Sequence, residues 1–247
     1  MKKTVLAAAV AALAAAYPAA AGASAFKGVV VSHEATRHVL VVTSSTGHAR
    51  TVHTTAALRV GTVVRVSARR LPDGTYTASR VAAVGHATRA RIHGVILRRA
   101  AGLTFLSAGR SVLVLFSAGR HAAAVGDAGP APGTVANVSV SVTPQGGLNT
   151  TSITPTGQSA SIVIQATVAS IVPATATTPG SLTLTINGQP LVLPLPAGTV
   201  LPATVVQGSA VTLTVNFGAN GPSAQPCNKK ECDDDDDDQG DDENDDD

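Results

Sequence analysis

The sequence predicts an all-β protein made of two to three tandem small β-barrels of about five strands each, followed by a disordered acidic tail. Apolar and polar residues alternate at period two in several short segments, and turn dipeptides separate these segments. Past the first 25 residues no segment shows the 3.6-residue period of a capped helix. Turn and strand landmarks also recur at a fixed spacing, which is typical of repeated units.

The first 25 residues predict a secretory signal peptide. Lys2 and Lys3 precede an apolar run from 5 to 16, and Ala23-Ser24-Ala25 supplies the small-x-small pattern of a cleavage site. The apolar run is too short for a bilayer, which needs about 20 residues. We therefore expect cleavage after Ala25, a secreted or extracytoplasmic location and no transmembrane segment in the mature chain.

Strand candidates follow throughout the mature chain. The clearest are residues 38–43, 62–67, 112–117, 138–142, 182–186 and 211–217. Asp73-Gly74, Gly146-Gly147 and Asn187-Gly188 lie between strand candidates and supply the positive φ angles of tight hairpins. These segments predict antiparallel hairpins.

Glycines mark equivalent points in successive units. Gly61, Gly133 and Gly208, which are 72 and 75 residues apart, each open onto a Val-rich strand. The segments FKGVVVS and RIHGVIL match around Gly28 and Gly94, with a weaker copy over 162–171. The predicted organisation is a signal peptide 1–25, barrels 26–88 and 89–157, a truncated or divergent third repeat 158–221, and an Asp-rich tail 222–247. A single irregular sandwich is the alternative.

One order of motifs resembles the repeat of a known family. The order is G-V-V, a short strand, L-x-x-G-T-x-V-x-V over Leu58–Val66, and D-G-T-Y-x-A-x-x-V over Asp73–Val81. It resembles a bacterial secreted domain-of-unknown-function family with small OB-like β-barrel repeats. The resemblance covers 26–86 well, 91–157 in part and 161–218 poorly. It implies a five-stranded OB-like barrel for each unit and no assigned chemistry.

Charge divides the chain into three blocks. Residues 26–127 hold fourteen Lys and Arg and all seven His against only Glu34, Asp73 and Asp127. Residues 128–226 contain no Asp, Glu, Lys, Arg or His. Residues 228–247 hold thirteen acids against Lys229 and Lys230. The formal net charge of +2 is therefore a sum in which two blocks of opposite charge cancel.

The arginine-rich block is a candidate polyanion-binding surface. Such a field attracts phosphate, anionic lipid or an envelope polymer. The candidate residues are Arg65, Arg69, Arg70, Arg89, Arg91, Arg98 and Arg99. Nucleic acid is a less favoured partner, because single-strand binding uses aromatic platforms and the chain has only six aromatic residues. A solvated strand face is the alternative, since Arg65 lies between Val64 and Val66.

The tail is too acidic to form a core, which predicts disorder. Closely spaced carboxylates bind Ca²⁺ through their oxygen atoms. The residues predicted to bind divalent cations weakly are Asp233, Asp234, Asp235, Asp236, Asp237, Asp238, Asp241 and Asp242. A tail that only confers solubility, or one that folds back on the basic barrels, is the alternative.

The two cysteines of the chain are Cys227 and Cys232. In an exported protein they predict a disulfide across a short loop. A metal site would need more ligands than two sulfurs.

Catalysis is not expected, because a triad or a carboxylate pair needs buried acids and the body has three acids in all. His33-Glu34 and His38 are spaced too far apart for a zinc-protease helix and join two strand candidates. The predicted function is an exported, non-enzymatic binding or structural module at or outside the cell envelope, with no cofactor beyond low-affinity Ca²⁺. The alternative is a polyanion or nucleic-acid binder that uses 26–127 and is inhibited by its own tail.

Overall fold

The computed structural model describes residues 24–100, 102–117, 129–219 and 221–227. Over these ranges the regular structure is fifteen β-strands and one short 3-10 turn, so the predicted all-β fold is confirmed. No helix in the described ranges has the length and apolar character needed to span a bilayer. Residues 1–23 of the predicted signal peptide, and the tail from 228 onward, lie outside the described residues.

The first five strands close into a barrel in the order β1-β2-β3-β5-β4. The strand β1 pairs with both β2 and β4, and β3 runs parallel to β5. This is the five-stranded Greek-key arrangement of an OB-type barrel. The bounds are β1 Ser24–Glu34, β2 Val39–Thr43, β3 Ala49–His53, β4 Thr62–Arg70 and β5 Tyr76–His86. Since β1 begins at Ser24, it includes the last two residues of the predicted signal peptide.

The second barrel repeats this topology. Its order is β10-β8-β7-β6-β9, in which β6 takes the place of β1 and β8 runs parallel to β10. The bounds are β6 Arg89–Ala100, β7 Leu103–Ala108, β8 Ser111–Ser117, β9 Thr134–Val142 and β10 Leu148–Gln158.

The third unit is a five-stranded sheet in the order β13-β12-β11-β14-β15. Its strands are β11 Ser161–Val172, β12 Gly180–Ile186, β13 Gln189–Leu195, β14 Ala210–Gly218 and β15 Gly221–Pro226. The strand order is that of the two barrels, although β13 and β15 form no ladder and the sheet is not closed. The unit was expected to be truncated or divergent. It is not truncated, because β15 supplies a fifth strand whose residues from 222 onward fall in the predicted tail, but its open sheet differs from the two closed barrels.

The first strand of each unit contains a β-bulge and, shortly before it, a small residue. A register shift inserts one extra residue, at Val31 in β1, at Leu97 in β6 and at Ala169 in β11. Before each bulge stands a small residue. At Gly28 and Gly94 a Cβ atom would overlap a carbonyl oxygen of the next strand. The glycine match seen in the sequence therefore marks where β1 and β6 lie tightly against a neighbouring strand.

The units pack on one another through the bulge residues and through residues of the strands that follow them. Val31 and Val41 of the first barrel belong to the apolar cluster of the second barrel. Leu97, Phe105 and Val114 of the second barrel belong to the apolar cluster of the third sheet. Burying these side chains stabilises each contact by roughly 1.5–3 kcal/mol per fully buried large residue.

Candidate basic clefts between the barrels

The outer face of strands two and three, which OB-type barrels commonly use to bind oligomers, is occupied in the first two units. In the first barrel this face holds Val41 and Thr51, and the Thr51 hydroxyl lies 3.1 Å from the Ser111 hydroxyl of the second barrel. In the second barrel the equivalent pair, Phe105 and Val114, packs against the third sheet. Any ligand of the first two barrels must therefore bind elsewhere.

The turn between β2 and β3 docks on β6 of the second barrel. The backbone N–H of His93 donates to the carbonyl oxygen of Gly47 at 2.8 Å. Gly47 has a φ of +100°, and a Cβ there would lie 3.1 Å from the His93 nitrogen. Only glycine fits this position without strain. The docked turn separates two clefts that are lined by residues of both barrels.

The first cleft, here called the hydroxyl cleft, has a volume of ≈ 650 Å³. Arg89 and Arg91 lie on one face of β6 and are both exposed, because residues two apart in a strand point the same way. Neither side chain forms a hydrogen bond or ion pair with another described residue. The cleft is also lined by six hydroxyl residues: Thr43, Ser44, Ser45, Ser139, Thr151 and Ser152.

The second cleft, here called the arginine cleft, has a volume of ≈ 500 Å³ and is lined by all three units. Its positive side chains are Arg50, Arg70 and Arg110. His48 and His93 face each other in it, with ring centroids 5.8 Å apart. The third sheet contributes Ile162 and Val163.

Arg50 has an unusual position in its barrel. Its register partner is Val42, and the equivalent pairs in the other units are Leu106 with Leu113 and Leu184 with Leu191. An arginine thus stands where the other two units bury a leucine.

Two aromatic rings hold the Arg50 side chain. Its guanidinium lies 4.5 Å from the Phe26 ring centroid and 5.9 Å from that of Tyr76. The two rings meet edge to face, with centroids 5.6 Å apart. Cation–π contacts of this kind are worth about 0.5–2 kcal/mol and keep the charge at the cleft.

Few negative charges offset these arginines. The described ranges contain two acids, Glu34 and Asp73. Glu34 forms an ion pair of 3.2 Å with Arg37. Partial burial by itself raises the pKa of Asp73, but hydrogen bonds from Thr75 and Gln165 and the charge of Arg110 outweigh it. The pKa of Asp73 therefore lies below its ordinary value. The two clefts together hold five arginines, and among the described residues Asp73 is the carboxylate beside them.

The arginines predicted from the sequence are divided among several places. Arg89 and Arg91 line the hydroxyl cleft, and Arg70 lines the arginine cleft. Arg65 and Arg69 lie on the exposed side of β4 and line neither cleft, and Arg99 is likewise exposed outside both. Arg98 donates to the carbonyl oxygen of Val192 at 3.1 Å and so contacts the third sheet. The prediction omitted four cleft residues: Arg50, Arg110, His48 and His93.

Other predicted sites have different outcomes. His33 and Glu34 end β1, and a 3-10 turn at Ala35–Arg37 leads to β2, so this segment is a hairpin and not a metal-binding helix. The described residues contain no group of three or more His, Cys, Asp or Glu arranged to hold a metal. Cys227 is disulfide-bonded, while its predicted partner Cys232 and the Ca²⁺ residues Asp233–Asp238, Asp241 and Asp242 lie outside the described residues.

Comparison with known proteins adds little to this description. No family model and no curated protein matches the chain. One similar structure is a multidomain protein with nucleic acid binding domains from Streptococcus pneumoniae, at 10% identity and a TM-score of 0.25, covering 82% of this chain and 72% of that one. Another is Drosophila Unr CSD456, at 14% identity and a TM-score of 0.20, covering 85% of this chain and 100% of that one. The strand order gives the fold without them.

Proposed function

We propose that the protein is an exported, non-enzymatic module that binds an extended polyanion along the hydroxyl and arginine clefts. The observation that carries the proposal is the collection of five arginines in two adjacent clefts, beside which the described ranges place one carboxylate, Asp73. Guanidinium groups bind phosphate and sulfate oxygens through two parallel hydrogen bonds. The Thr43 and Thr151 hydroxyls already donate to backbone carbonyls, but the hydroxyls of Ser45 and Ser152 add neutral donors for the same oxygens.

The path of the ligand follows from the docked turn. An anionic chain lying over the turn between β2 and β3 would contact Arg89 and Arg91 on one side. On the other side it would contact Arg50, Arg70 and Arg110. A polymer with regularly spaced charges can meet both groups at once, whereas a single small anion can meet only one. Linked contacts raise affinity without any further surface, because the second contact is intramolecular.

Export places this activity outside the cytoplasm. The signal sequence read in residues 1–25 supports that location, and anionic envelope polymers are then the class of partner nearest to the protein. Single-stranded nucleic acid is a second ligand class to test, because its backbone also presents regularly spaced phosphates to the cleft arginines.

The test is a salt titration of binding. We would measure the affinity of the mature protein for fluorophore-labelled polyphosphate, heparin-type oligosaccharide and oligothymidylate by fluorescence anisotropy. Five neutralised charges on a flexible single strand give a slope of about −3.5 in log K against log salt. An affinity that does not depend on salt for any of the three probes would contradict the proposal.

A charge-matched pair of variants locates the site. Arg89→Ala with Arg91→Ala removes two charges from the hydroxyl cleft and should reduce the slope by about 1 to 2. Arg59→Ala with Arg99→Ala removes two exposed charges that line neither cleft. Equal losses in the two double variants would mean that general surface charge, and not the clefts, binds the polymer.

A further inference from the structure

We propose that the acidic segment 228–247 of this same chain is an intramolecular ligand of the arginine cleft and competes there with external polyanions. This inference rests on the proposed function of the cleft.

The described chain ends beside the cleft. Val163 lines the arginine cleft, and its register partner in β14 is Thr214. The Thr214 hydroxyl lies 3.2 Å from the sulfur of Cys227. Because neighbouring strands are about 4.8 Å apart, Cys227 stands roughly 10 Å from the cleft wall across β14.

A second path leads from Cys227 to the backbone of a cleft arginine, through two backbone hydrogen bonds and one register pair. The backbone N–H of Cys227 donates to the carbonyl oxygen of Thr212 at 3.4 Å. Thr212 is the register partner of Gln165, whose own N–H donates to the carbonyl oxygen of Arg110 at 2.7 Å. The last described residue is therefore linked through β14 and β11 to the backbone of Arg110, one of the residues that we propose the tail contacts.

The length of the tail is sufficient to reach both clefts. Fifteen residues from 233 onward span at most about 50 Å when extended. The disulfide predicted between Cys227 and Cys232 would hold those two Cα atoms about 4–7 Å apart. It would thereby place the start of the Asp233–Asp238 run within roughly 10 Å of Cys227.

The tail carries negative charge in excess of the positive charge that the cleft arginines supply. Residues 228–247 contain thirteen acids and two lysines. The clefts contain five arginines, and carboxylate is a bidentate partner of the guanidinium group. A short tether gives an effective concentration in the millimolar range, so even a weak contact is occupied much of the time. The attraction falls with salt, because the Debye length is ~10 Å at 0.1 M.

The main experiment uses the full mature chain with a neutral tail. In this variant every Asp and Glu of 228–247 becomes Asn or Gln, and a control carries the wild-type tail residues in scrambled order. We expect the neutral-tail variant to bind labelled polyphosphate about tenfold or more tightly than wild type at ~50 mM salt, and within twofold at ~0.5 M. The scrambled control should behave as wild type. Equal affinities for all three proteins at low salt would overturn the inference.

A second experiment does not depend on any external polyanion. A labelled peptide of residues 228–247 is titrated into the neutral-tail variant. We expect salt-sensitive binding that Arg70→Gln with Arg110→Gln weakens at least threefold, and that Arg59→Gln with Arg99→Gln leaves unchanged. No peptide binding, or equal weakening by both pairs, would overturn the inference.

The two experiments separate this inference from the proposed function. If the peptide binds and no polyanion does, the proposed function is wrong and the tail contact stands. If polyanions bind wild type and the neutral-tail variant alike, the proposed function stands and the tail contact is wrong. The difference in polyphosphate affinity between wild type and the neutral-tail variant should be the same at 0.1 and 10 µM protein. If that difference grows with protein concentration, the tail binds a second copy of the protein and not its own cleft.

Discussion

Arg37 of the first barrel and Gln165 of the third sheet are joined by two hydrogen bonds. The guanidinium donates to the backbone carbonyl oxygen and to the side-chain oxygen of Gln165, each at 3.4 Å. The Gln165 amide nitrogen donates in turn to Asp73 at 3.4 Å. One side chain of the third sheet thus contacts two turns of the first barrel. The first and third units are joined directly and not only through the second.

Removing the Gln165 side chain should weaken the contact between the first and third units. We expect Gln165→Ala to lower the free energy of unfolding by about 1–2 kcal/mol, since it deletes hydrogen bonds to partners that stay partly buried. Urea unfolding followed by circular dichroism measures the change. Gln225→Ala is the control, because Gln225 bonds to Asn216 within the third unit. An equal effect of the two substitutions would contradict a special role for Gln165.

Asp73 should make stability depend on pH in the acid range. Its folded pKa lies below the ordinary value of 3.8, so its stabilising contribution is complete above that value and is lost as the pH falls through the folded pKa. We expect Asp73→Asn to be less stable than wild type at pH 6, with a difference that shrinks towards pH 2. Urea unfolding at several pH values checks this. A difference that stays constant from pH 6 to pH 2 would assign the effect to turn geometry.

The sequence was sufficient for many of the strands, because their period and turns are local features, but β3, β7, β10 and β13 were not among the strand candidates. Asn187 and Gly188, for example, have φ angles of 48° and 76°, as a two-residue hairpin of the predicted type requires. The last strand of the third unit was missed because GPSAQP has little strand character, and β14 provides its hydrogen bonds. Tertiary pairing supplies what local preference lacks.

The clefts could be predicted only in part. Arg70, Arg89 and Arg91 were found because they belong to the arginine-rich block that the sequence shows. Arg50 and Arg110 were not, since their cleft forms only when three units pack together. A closer comparison of the repeats would have singled out Arg50, whose equivalents are Leu113 and Leu191.

The glycines before the bulges should be required for folding. Gly94→Ala would place a Cβ against the carbonyl oxygen of Ser107, which belongs to a paired backbone and has no room to move. We expect a loss of roughly 1–3 kcal/mol or more in the free energy of unfolding. Gly85→Ala is the matched control, because the nearest atom to its Cβ would be 3.9 Å away. Similar losses at the two sites, measured by urea unfolding, would contradict this account of Gly94.

Substitutions at Arg50 should change polyphosphate affinity without lowering the stability of the fold. Arg50→Leu installs the residue that the other two units bury at this position, so we expect the free energy of unfolding to stay equal or rise. The same change removes a positive charge that the Phe26 and Tyr76 rings hold at the arginine cleft, and polyphosphate affinity should fall about threefold to tenfold at ~50 mM salt. Arg50→Lys keeps the charge but loses the flat stacking, and we expect intermediate affinity from it. Thermal unfolding and anisotropy on the same samples make the comparison. If Arg50→Leu weakens folding and leaves polyphosphate affinity unchanged, Arg50 serves the barrel and not the cleft.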